Sequence, residues 1–173
     1  MTRPLELLAP AKNLECGIAA IDHGADAVYI GAPRFGARVS AGNSVADIAQ
    51  LCAYAHQFQA KVYVTVNTIV YDDELDATRQ LLQELQQAGV DAVLVQDMSL
   101  LDMIFCLPLH ASTQTDNRTP EKVQWLRDLG FRRVVLAREL SIHEIRTIHE
   151  AVPDVELEVI VHGAHCVSYS GLC

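Results

Sequence analysis

Two cysteines, Cys166 and Cys173, stand seven residues apart at the end of the sequence, with serine, tyrosine and glycine between them. They could be a catalytic thiol and a bystander, two core residues, or two ligands of a metal ion or cluster. Two thiolates alone do not complete a zinc site or an iron–sulfur cluster, because each takes four protein ligands in its structural form. His162 and His165 are near in sequence, and either could pair with a Cys166 thiolate or supply a nitrogen ligand. The residues alone leave these interpretations open.

Further polar residues fall at or near the ends of short apolar runs that predict β-strands. Side chains alternate between the two faces of a strand, and one face here carries polar groups that a purely structural sheet would not need. If the strands form a parallel barrel, active-site residues are expected at their carboxyl ends. The predicted catalytic ring consists of Asn67, Gln96, Gln114, Arg138 and His162. The alternative is a hydrogen-bonded polar plug that fills the barrel.

Arginines near the same ends of the predicted strands indicate an anionic ligand. A guanidinium group binds a carboxylate or a phosphate through two parallel hydrogen bonds. The predicted substrate-binding residues are Arg34, Arg38, Ser112 and Glu158. For Arg34 and Arg38 the alternative is that they are solvated residues of one loop.

The elements that must position these residues follow a repeated plan. Short β-branched runs alternate with amphipathic stretches about every 25 residues, which is typical of βα units around a parallel sheet. Strands are predicted at 5–9, 27–31, 61–68, 91–96, 109–113, 133–137 and 155–161, with helices near 14–23, 45–57, 72–88, 99–105, 120–129 and 142–151.

Seven parallel strands with helices outside predict an α/β fold, an incomplete (β/α)8 TIM-like barrel. We expect residues 1–173 to form a single truncated domain, the N-terminal part of a longer protein. The alternative is an open doubly wound sheet. The barrel is favoured because the sequence after the first predicted strand, Ala-Pro-Ala-Lys-Asn, lacks the glycine fingerprint of a dinucleotide-binding fold.

Composition limits the classes of function. A formal net charge of −9 argues against nonspecific coating of nucleic acid, so any RNA contact requires a local basic patch. No apolar run is long enough for a membrane helix and the first residues do not resemble a signal peptide, which predicts a cytoplasmic protein without membrane contact. Cys16, Cys52 and Cys106 fall in apolar, helix-like segments and are expected to be core residues rather than parts of a disulfide framework.

The last sixteen residues resemble the signature of the collagenase-like peptidases, peptidase family U32. The matching positions are Glu158, Gly163, Ala164, Cys166, Gly171 and Cys173. Ile160 and His165 depart from the signature, which has phenylalanine and an aliphatic residue there. The likeness extends along essentially the whole chain, for example at residues 24–31, 110–114 and 134–141, although Lys12 stands where the family usually has glycine.

The resemblance implies an activity and a cofactor. Some members of the family are RNA hydroxylation enzymes that make 5-hydroxycytidine or 5-hydroxyuridine in ribosomal or transfer RNA, with prephenate as a co-substrate. These members hold a [4Fe-4S] cluster through four cysteines, and Cys166 and Cys173 match the first pair. The resemblance therefore implies an iron–sulfur-dependent RNA (tRNA or rRNA) hydroxylation enzyme. The other two cluster ligands are expected beyond residue 173, so the cluster is expected in the full-length protein and not in this fragment.

Three alternatives to RNA hydroxylation stay open. Collagenase-like proteolysis gives the family its name, but position 147 is threonine where a zinc-protease motif beginning at His143 needs histidine. Hydroxylation of a small aromatic such as a ubiquinone precursor is a second alternative, and a scaffold domain with structural cysteines is a third. The open edges of an incomplete barrel also predict a homodimer of the fragment.

Overall fold

The computed structural model describes residues 5–36, 43–103, 106–163 and 166–172. The described elements alternate between strands and helices along most of the chain. They are β1 (Leu8–Ala11), α1 (Leu14–Asp22), β2 (Ala27–Gly31), α2 (Val45–Ala55), β3 (Lys61–Val66), α3 (Leu75–Gln87), β4 (Ala92–Val95), β5 (Leu109–Ala111), α4 (Pro120–Asp128), β6 (Arg133–Val135), α5 (Ile142–Ala151) and β7 (Glu156–Glu158).

The strands are hydrogen-bonded in their sequence order, β1 to β7. The pairs β1–β2, β2–β3, β5–β6 and β6–β7 are parallel. This sequential order is that of a (β/α)8 barrel, whereas a doubly wound sheet reverses its order at a switch point. The predicted fold class is therefore confirmed and the doubly wound alternative is wrong.

Several boundaries differ from the predicted ones, as three examples show. β1 begins at Leu8 rather than at residue 5, and β7 ends at Glu158 rather than at residue 161. Between β4 and β5 the described residues form a 3₁₀ helix, Met98–Asp102, where the sequence predicted an α-helix. This tighter winding is common in short connections, since it closes a hydrogen bond with one residue fewer.

Four of the α-helices begin at a residue whose side chain accepts a hydrogen bond from a backbone amide of the first turn. These N-cap residues are Asn13, Ser44, Thr119 and Ser141. Each such cap contributes about 1 kcal/mol, because it satisfies an amide that has no partner within the helix. The caps fix where each loop at a strand end turns into a helix.

The chain divides into two compact units, of which the first comprises Met1–Val93 and Asp97–Leu107. Its fully buried side chains include Ile30, Ile48, Leu51 and Leu85. A Cβ atom added at Gly17 would lie 2.7 Å from Cδ1 of Leu51, so α1 and α2 approach closely because residue 17 has no side chain.

The second unit comprises Leu94–Gln96 and Pro108–Cys173. Its core includes Leu126, Leu136 and Ile148. The buried Arg133 of β6 places Nε and Nη2 at 3.0 and 2.7 Å from Oε2 of Glu156 on β7. This two-nitrogen contact satisfies a buried charge across neighbouring strands.

None of the helices in the described ranges is long and apolar enough to cross a membrane.

Candidate functional site

The loop that follows β5 is tied to β6 by the buried side chain of Asn117. Its Nδ2 donates to the carbonyl oxygens of Ser112 and Val135, at 2.9 and 2.8 Å. Its Oδ1 accepts from the hydroxyl of Thr115 at 2.7 Å, and its backbone carbonyl accepts from the amide of Ala137. These bonds hold the loop at the carboxyl ends of two neighbouring strands, where barrel enzymes carry their sites.

The residues 166–172, which we call the cysteine segment, are held by a carboxylate that follows β6. Oε1 of Glu139 accepts from the backbone amide of Ser170 at 2.7 Å, and Oε2 accepts from the Ser170 hydroxyl at 3.0 Å. Nη2 of Arg118 donates to the Ser170 carbonyl oxygen at 3.3 Å. Ser170 is buried, and its amide, hydroxyl and carbonyl groups all take part in hydrogen bonds. These bonds attach the segment to the loops after β5 and β6.

Close backbone approach also requires a glycine in the cysteine segment. Gly171 has a φ of +87°, a conformation that L side chains rarely adopt. A Cβ atom there would lie 2.8 Å from Cβ of Asp116, which is itself left-handed with a φ of 56°. The two residues fit together only because position 171 has no side chain.

Arg118 is surrounded by acceptors. Its Nε donates to Oδ1 of Asp116, and its Nη2 lies 3.8 Å from Oε1 of Glu139. The hydrogen bond to Asp116 raises the pKa of Arg118, and the hydrogen bond from the Ser170 amide lowers the pKa of Glu139. Two carboxylates therefore face one guanidinium group, so this positive charge is already neutralised.

A cleft of about 380 Å³ opens beside the cysteine segment. Its lining residues are Gln114, Asp116, Arg118, Tyr169, Ser170, Gly171 and Leu172. The Tyr169 side chain is 63% exposed, and the guanidinium carbon of Arg118 lies 5.4 Å from its ring centroid. The cleft combines an aromatic ring with amide, guanidinium and carboxylate groups.

The predicted catalytic residues are distributed over both units. Gln114 lines the cleft, whereas Gln96, Arg138 and His162 do not belong to its described lining. Gln96 directly follows β4 and is half-buried, and Arg138 lies three positions after β6 and is also half-buried. His162 is exposed and lies four positions after β7. Asn67 is half-buried directly after β3, in the first unit. Their catalytic roles stay predictions.

The predicted substrate-binding residues include two with visible structural contacts. Ser112 is buried, and its hydroxyl oxygen accepts from the backbone amide of Gln114 at 3.3 Å. Oε2 of Glu158 lies 3.8 Å from Nη1 of Arg133. These contacts support the polar-plug alternative for Ser112 and Glu158, and their binding roles stay predictions.

One of the arginines predicted to bind an anion, Arg34, is described in the first unit. Arg34 is exposed and its guanidinium carbon lies 5.1 Å from the ring centroid of Phe35, whose φ of 63° is unusual for a residue other than glycine. Arg38 lies outside the described residues. In the same unit the buried Asn43 donates to the carbonyl oxygens of Lys12 and Gly31, at 3.2 Å each, and so joins the loop after β1 to the end of β2.

The cysteines differ in their ability to act as thiolate ligands. Cys166 is half-buried, and Cys173 lies outside the described residues. Burial raises the pKa of Cys52 to about 12, which keeps this thiol protonated, while Cys16 and Cys106 are exposed. Among the described residues, no group of three or more His, Cys, Asp or Glu side chains is arranged to hold a metal ion. The cysteine segment therefore offers one described thiol, Cys166, as part of a possible ligand set. The protonated, buried thiol of Cys52 is not suited to bind a metal.

Sequence reasoning missed the residues that build the cleft and attach the cysteine segment. They are Asp116, Arg118, Glu139, Tyr169 and Ser170. A signal was available, because Tyr169 and Ser170 lie between the two cysteines and Glu139 directly follows Arg138 at the end of β6. Charged residues after neighbouring parallel strands are expected to meet at one edge of the sheet.

A protein-family model, Peptidase family U32, matches residues 12–173. The chain is 54% identical over 98% of its length to the 23S rRNA 5-hydroxycytidine C2501 synthase of Escherichia coli (strain K12), of which it covers 26%. It is 39% identical over its whole length to the tRNA hydroxylation protein P1 of Bacillus subtilis (strain 168), of which it covers 42%. A Collagenase of Porphyromonas gingivalis (strain ATCC BAA-308 / W83) is 30% identical over 97% of the chain, with 44% of the relative covered.

Solved structures support the fold. The U32 peptidase Mk0906 matches with a TM-score of 0.74 and 18% identity, over 92% of this chain and 70% of that one. The 3-hexulose-6-phosphate synthase of Salmonella typhimurium matches with a TM-score of 0.65 and 17% identity, over 86% and 73%. At these identities the likeness concerns the fold alone. The chain spans less than half the length of the three curated relatives named above.

Proposed function

Because this chain belongs to peptidase family U32, we propose that it forms part of a cytoplasmic, iron–sulfur-dependent RNA hydroxylation enzyme that acts on ribosomal or transfer RNA. The observation that carries the proposal is the 54% identity to the 23S rRNA 5-hydroxycytidine synthase over nearly the whole chain. The tRNA hydroxylation protein at 39% identity supports the same class of substrate.

In this proposal Cys166 and Cys173 supply two of the four thiolates of a [4Fe-4S] cluster. The remaining pair comes from another part of the whole protein, since the chain covers only 26% of its rRNA-modifying relative. When bound, such a cluster supplies one-electron redox chemistry. The chain's own contribution is to fix the cysteine segment, which Glu139 holds through Ser170.

A second part of the proposal concerns the anionic co-substrate, for which prephenate is the candidate. Arg34 and Arg38 are the guanidinium groups proposed to bind its carboxylates. Arg118 is a weaker candidate for this role, because it is already paired with Asp116 and close to Glu139.

Proteolysis is the competing function, since a relative at 30% identity is named Collagenase. It would require a nucleophile next to a base, or a metal that activates water. In the described ranges, the hydroxyls of Ser112 and Ser170 are used to hold backbone or carboxylate groups. Hydroxylation is preferred because the identity to the RNA-modifying relatives, 54% and 39%, exceeds the 30% identity to the Collagenase.

The test uses the intact protein, purified without oxygen, together with Cys166→Ala and Cys173→Ala variants and a Cys16→Ala control. We expect the wild type and the control to show the visible absorption and iron content of a [4Fe-4S] cluster and to restore the hydroxylated nucleoside in RNA of a deletion strain. Each ligand variant is expected to lose both while its circular dichroism stays unchanged. Full cluster content and full RNA hydroxylation in both ligand variants would contradict the proposal.

Self-association of the chain is also proposed rather than observed. Apolar residues after β7 are exposed, with Val159, Ile160 and Val161 at 42%, 47% and 89%. Such a patch beside an edge strand favours pairing with a second copy. Light scattering of residues 1–173 is expected to give the mass of a dimer, and a monomer at high concentration would contradict this.

A further inference from the structure

Tyr169 has an exposed aromatic side chain, and the backbone that follows it is held by hydrogen bonds. The next residue, Ser170, is buried and held by three hydrogen bonds to Glu139 and Arg118. The Arg118 guanidinium carbon lies 5.4 Å from the ring centroid, a cation–π contact on one face of the ring. An exposed aromatic ring at the wall of a cleft is a platform for stacking a flat ligand.

The charge of the cleft decides which flat ligand fits. Arg118 is paired with Asp116 and lies near Glu139, so the cleft carries no surplus positive charge for a phosphate. Its remaining polar groups include the Gln114 amide and the Asp116 carboxylate. An amide can donate and accept, whereas a carboxylate only accepts, and a carboxylate is the usual partner of the cytosine amino group. A neutral base with an exocyclic amine, cytosine or adenine, matches this set, and the similarity to the 5-hydroxycytidine synthase favours cytosine.

We propose that this cleft binds an unpaired cytosine base of the RNA, stacked on Tyr169 and hydrogen-bonded to Gln114 and Asp116. The proposal rests on the proposed function and names the substrate position within it. The residue proposed to stack the base, Tyr169, is three positions after Cys166, the proposed cluster ligand, in the sequence. Unstacked bases bound on aromatic side chains are the usual mode of single-stranded RNA recognition.

The experiment measures binding of fluorescein-labelled single-stranded oligocytidine to the intact protein by fluorescence anisotropy. Tyr169→Ala is expected to raise Kd about tenfold, since a base–aromatic stack carries an effect of this order. Tyr169→Phe keeps the ring and is expected to stay within about twofold of the wild type. Tyr71→Ala removes a comparably exposed tyrosine from the first unit and serves as the control.

Two further measurements identify the base and its position. Oligouridine is expected to bind several-fold more weakly than oligocytidine, and Asp116→Asn is expected to reduce this preference, since asparagine also tolerates the left-handed backbone at 116. Photo-crosslinking of RNA that contains 5-iodocytidine is expected to label Tyr169 in the wild type.

The outcomes separate this inference from the proposed function. If the intact protein hydroxylates RNA but Tyr169→Ala binds as tightly as the wild type, or the crosslink maps elsewhere, the cleft is not the base site and the hydroxylase proposal stands. Equal affinity for oligocytidine and oligouridine overturns the assignment of cytosine. If the wild type neither binds nor hydroxylates RNA, both proposals fail.

Discussion

Replacing Glu139 by alanine tests whether this carboxylate holds the cysteine segment. The change removes two hydrogen bonds from Ser170, at 2.7 and 3.0 Å, and leaves a buried amide and hydroxyl without their acceptor. Hydrogen bonds to charged groups contribute about 1.5–3 kcal/mol when buried. Because the Glu139 side chain is 29% exposed, water replaces part of this loss and we expect about 1–2 kcal/mol for local opening. That corresponds to roughly a 5- to 30-fold larger open population.

The assay is amide hydrogen exchange of the Ser170 backbone in the intact protein, with Cys166 alkylation as a second measure of opening. Glu150→Ala removes an exposed carboxylate from α5 and is the matched control. We expect faster exchange at Ser170 in Glu139→Ala and no change in the control, with the same thermal unfolding for both. Exchange at Ser170 that rises no more in Glu139→Ala than in Glu150→Ala would refute the anchoring role.

The same contact predicts a pH dependence. The hydrogen bond from the Ser170 amide lowers the pKa of Glu139 in the folded protein. A carboxyl group whose pKa is lower in the folded protein than in the unfolded chain stabilises the folded state. This stabilisation is complete at a pH above the unfolded pKa, about 4.3 for glutamate, and is lost as the pH falls through the folded pKa. The Ser170 amide resonance should therefore titrate with a midpoint below about 4.3. A midpoint at or above that value, or an identical titration in Glu139→Gln, would contradict it.

Two further predictions concern the glycine and the buried thiol. Gly171→Ala is expected to destabilise the cysteine segment by about 1 kcal/mol or more beyond the effect of Gly130→Ala on its own turn, as measured by hydrogen exchange. Both glycines have a positive φ, but only a side chain at position 171 would clash with Asp116. Equal effects of the two substitutions would refute the close approach. At pH 8, iodoacetamide should label the exposed Cys16 and leave Cys52 unmodified until the protein unfolds, since the pKa of Cys52 is raised to about 12, and comparable labelling rates in the native protein would contradict this.

The regular part of the fold was predictable from local patterns. β2 was predicted with its observed boundaries, and α5 as well, because a short apolar run and an N-cap serine are local signals. β7 was predicted too long. Residues 159–161 are apolar enough for a strand, but they are exposed and the strand ends at Glu158. Which apolar residues are buried cannot be read from the sequence. Patterns give element type more reliably than element ends.

The candidate site was predictable only in part. Gln114 was predicted to lie at the carboxyl end of β5, and it lines the cleft, while its catalytic role stays a prediction. The attachment of Ser170 to Glu139 joins residues 31 positions apart, and no periodicity or motif specifies such a pairing. The left-handed backbone at Asp116 was also invisible, because aspartate adopts it only where the surrounding contacts favour it. Pairings of this kind depend on tertiary structure.

The attachment of the cysteine segment also has a consequence for the order of events during protein synthesis. The hydrogen bonds of Ser170 reach back to Arg118 and Glu139, which precede it by 52 and 31 positions. These long-range contacts form only after residues 118–170 have been made, and chains fold from the N-terminus while they are being made. The geometry of the segment can therefore be set on the ribosome before any later residue has emerged. In the proposed enzyme, the segment that carries Cys166 would then be attached before the remaining proposed cluster ligands are synthesised, and cluster insertion would depend on their synthesis.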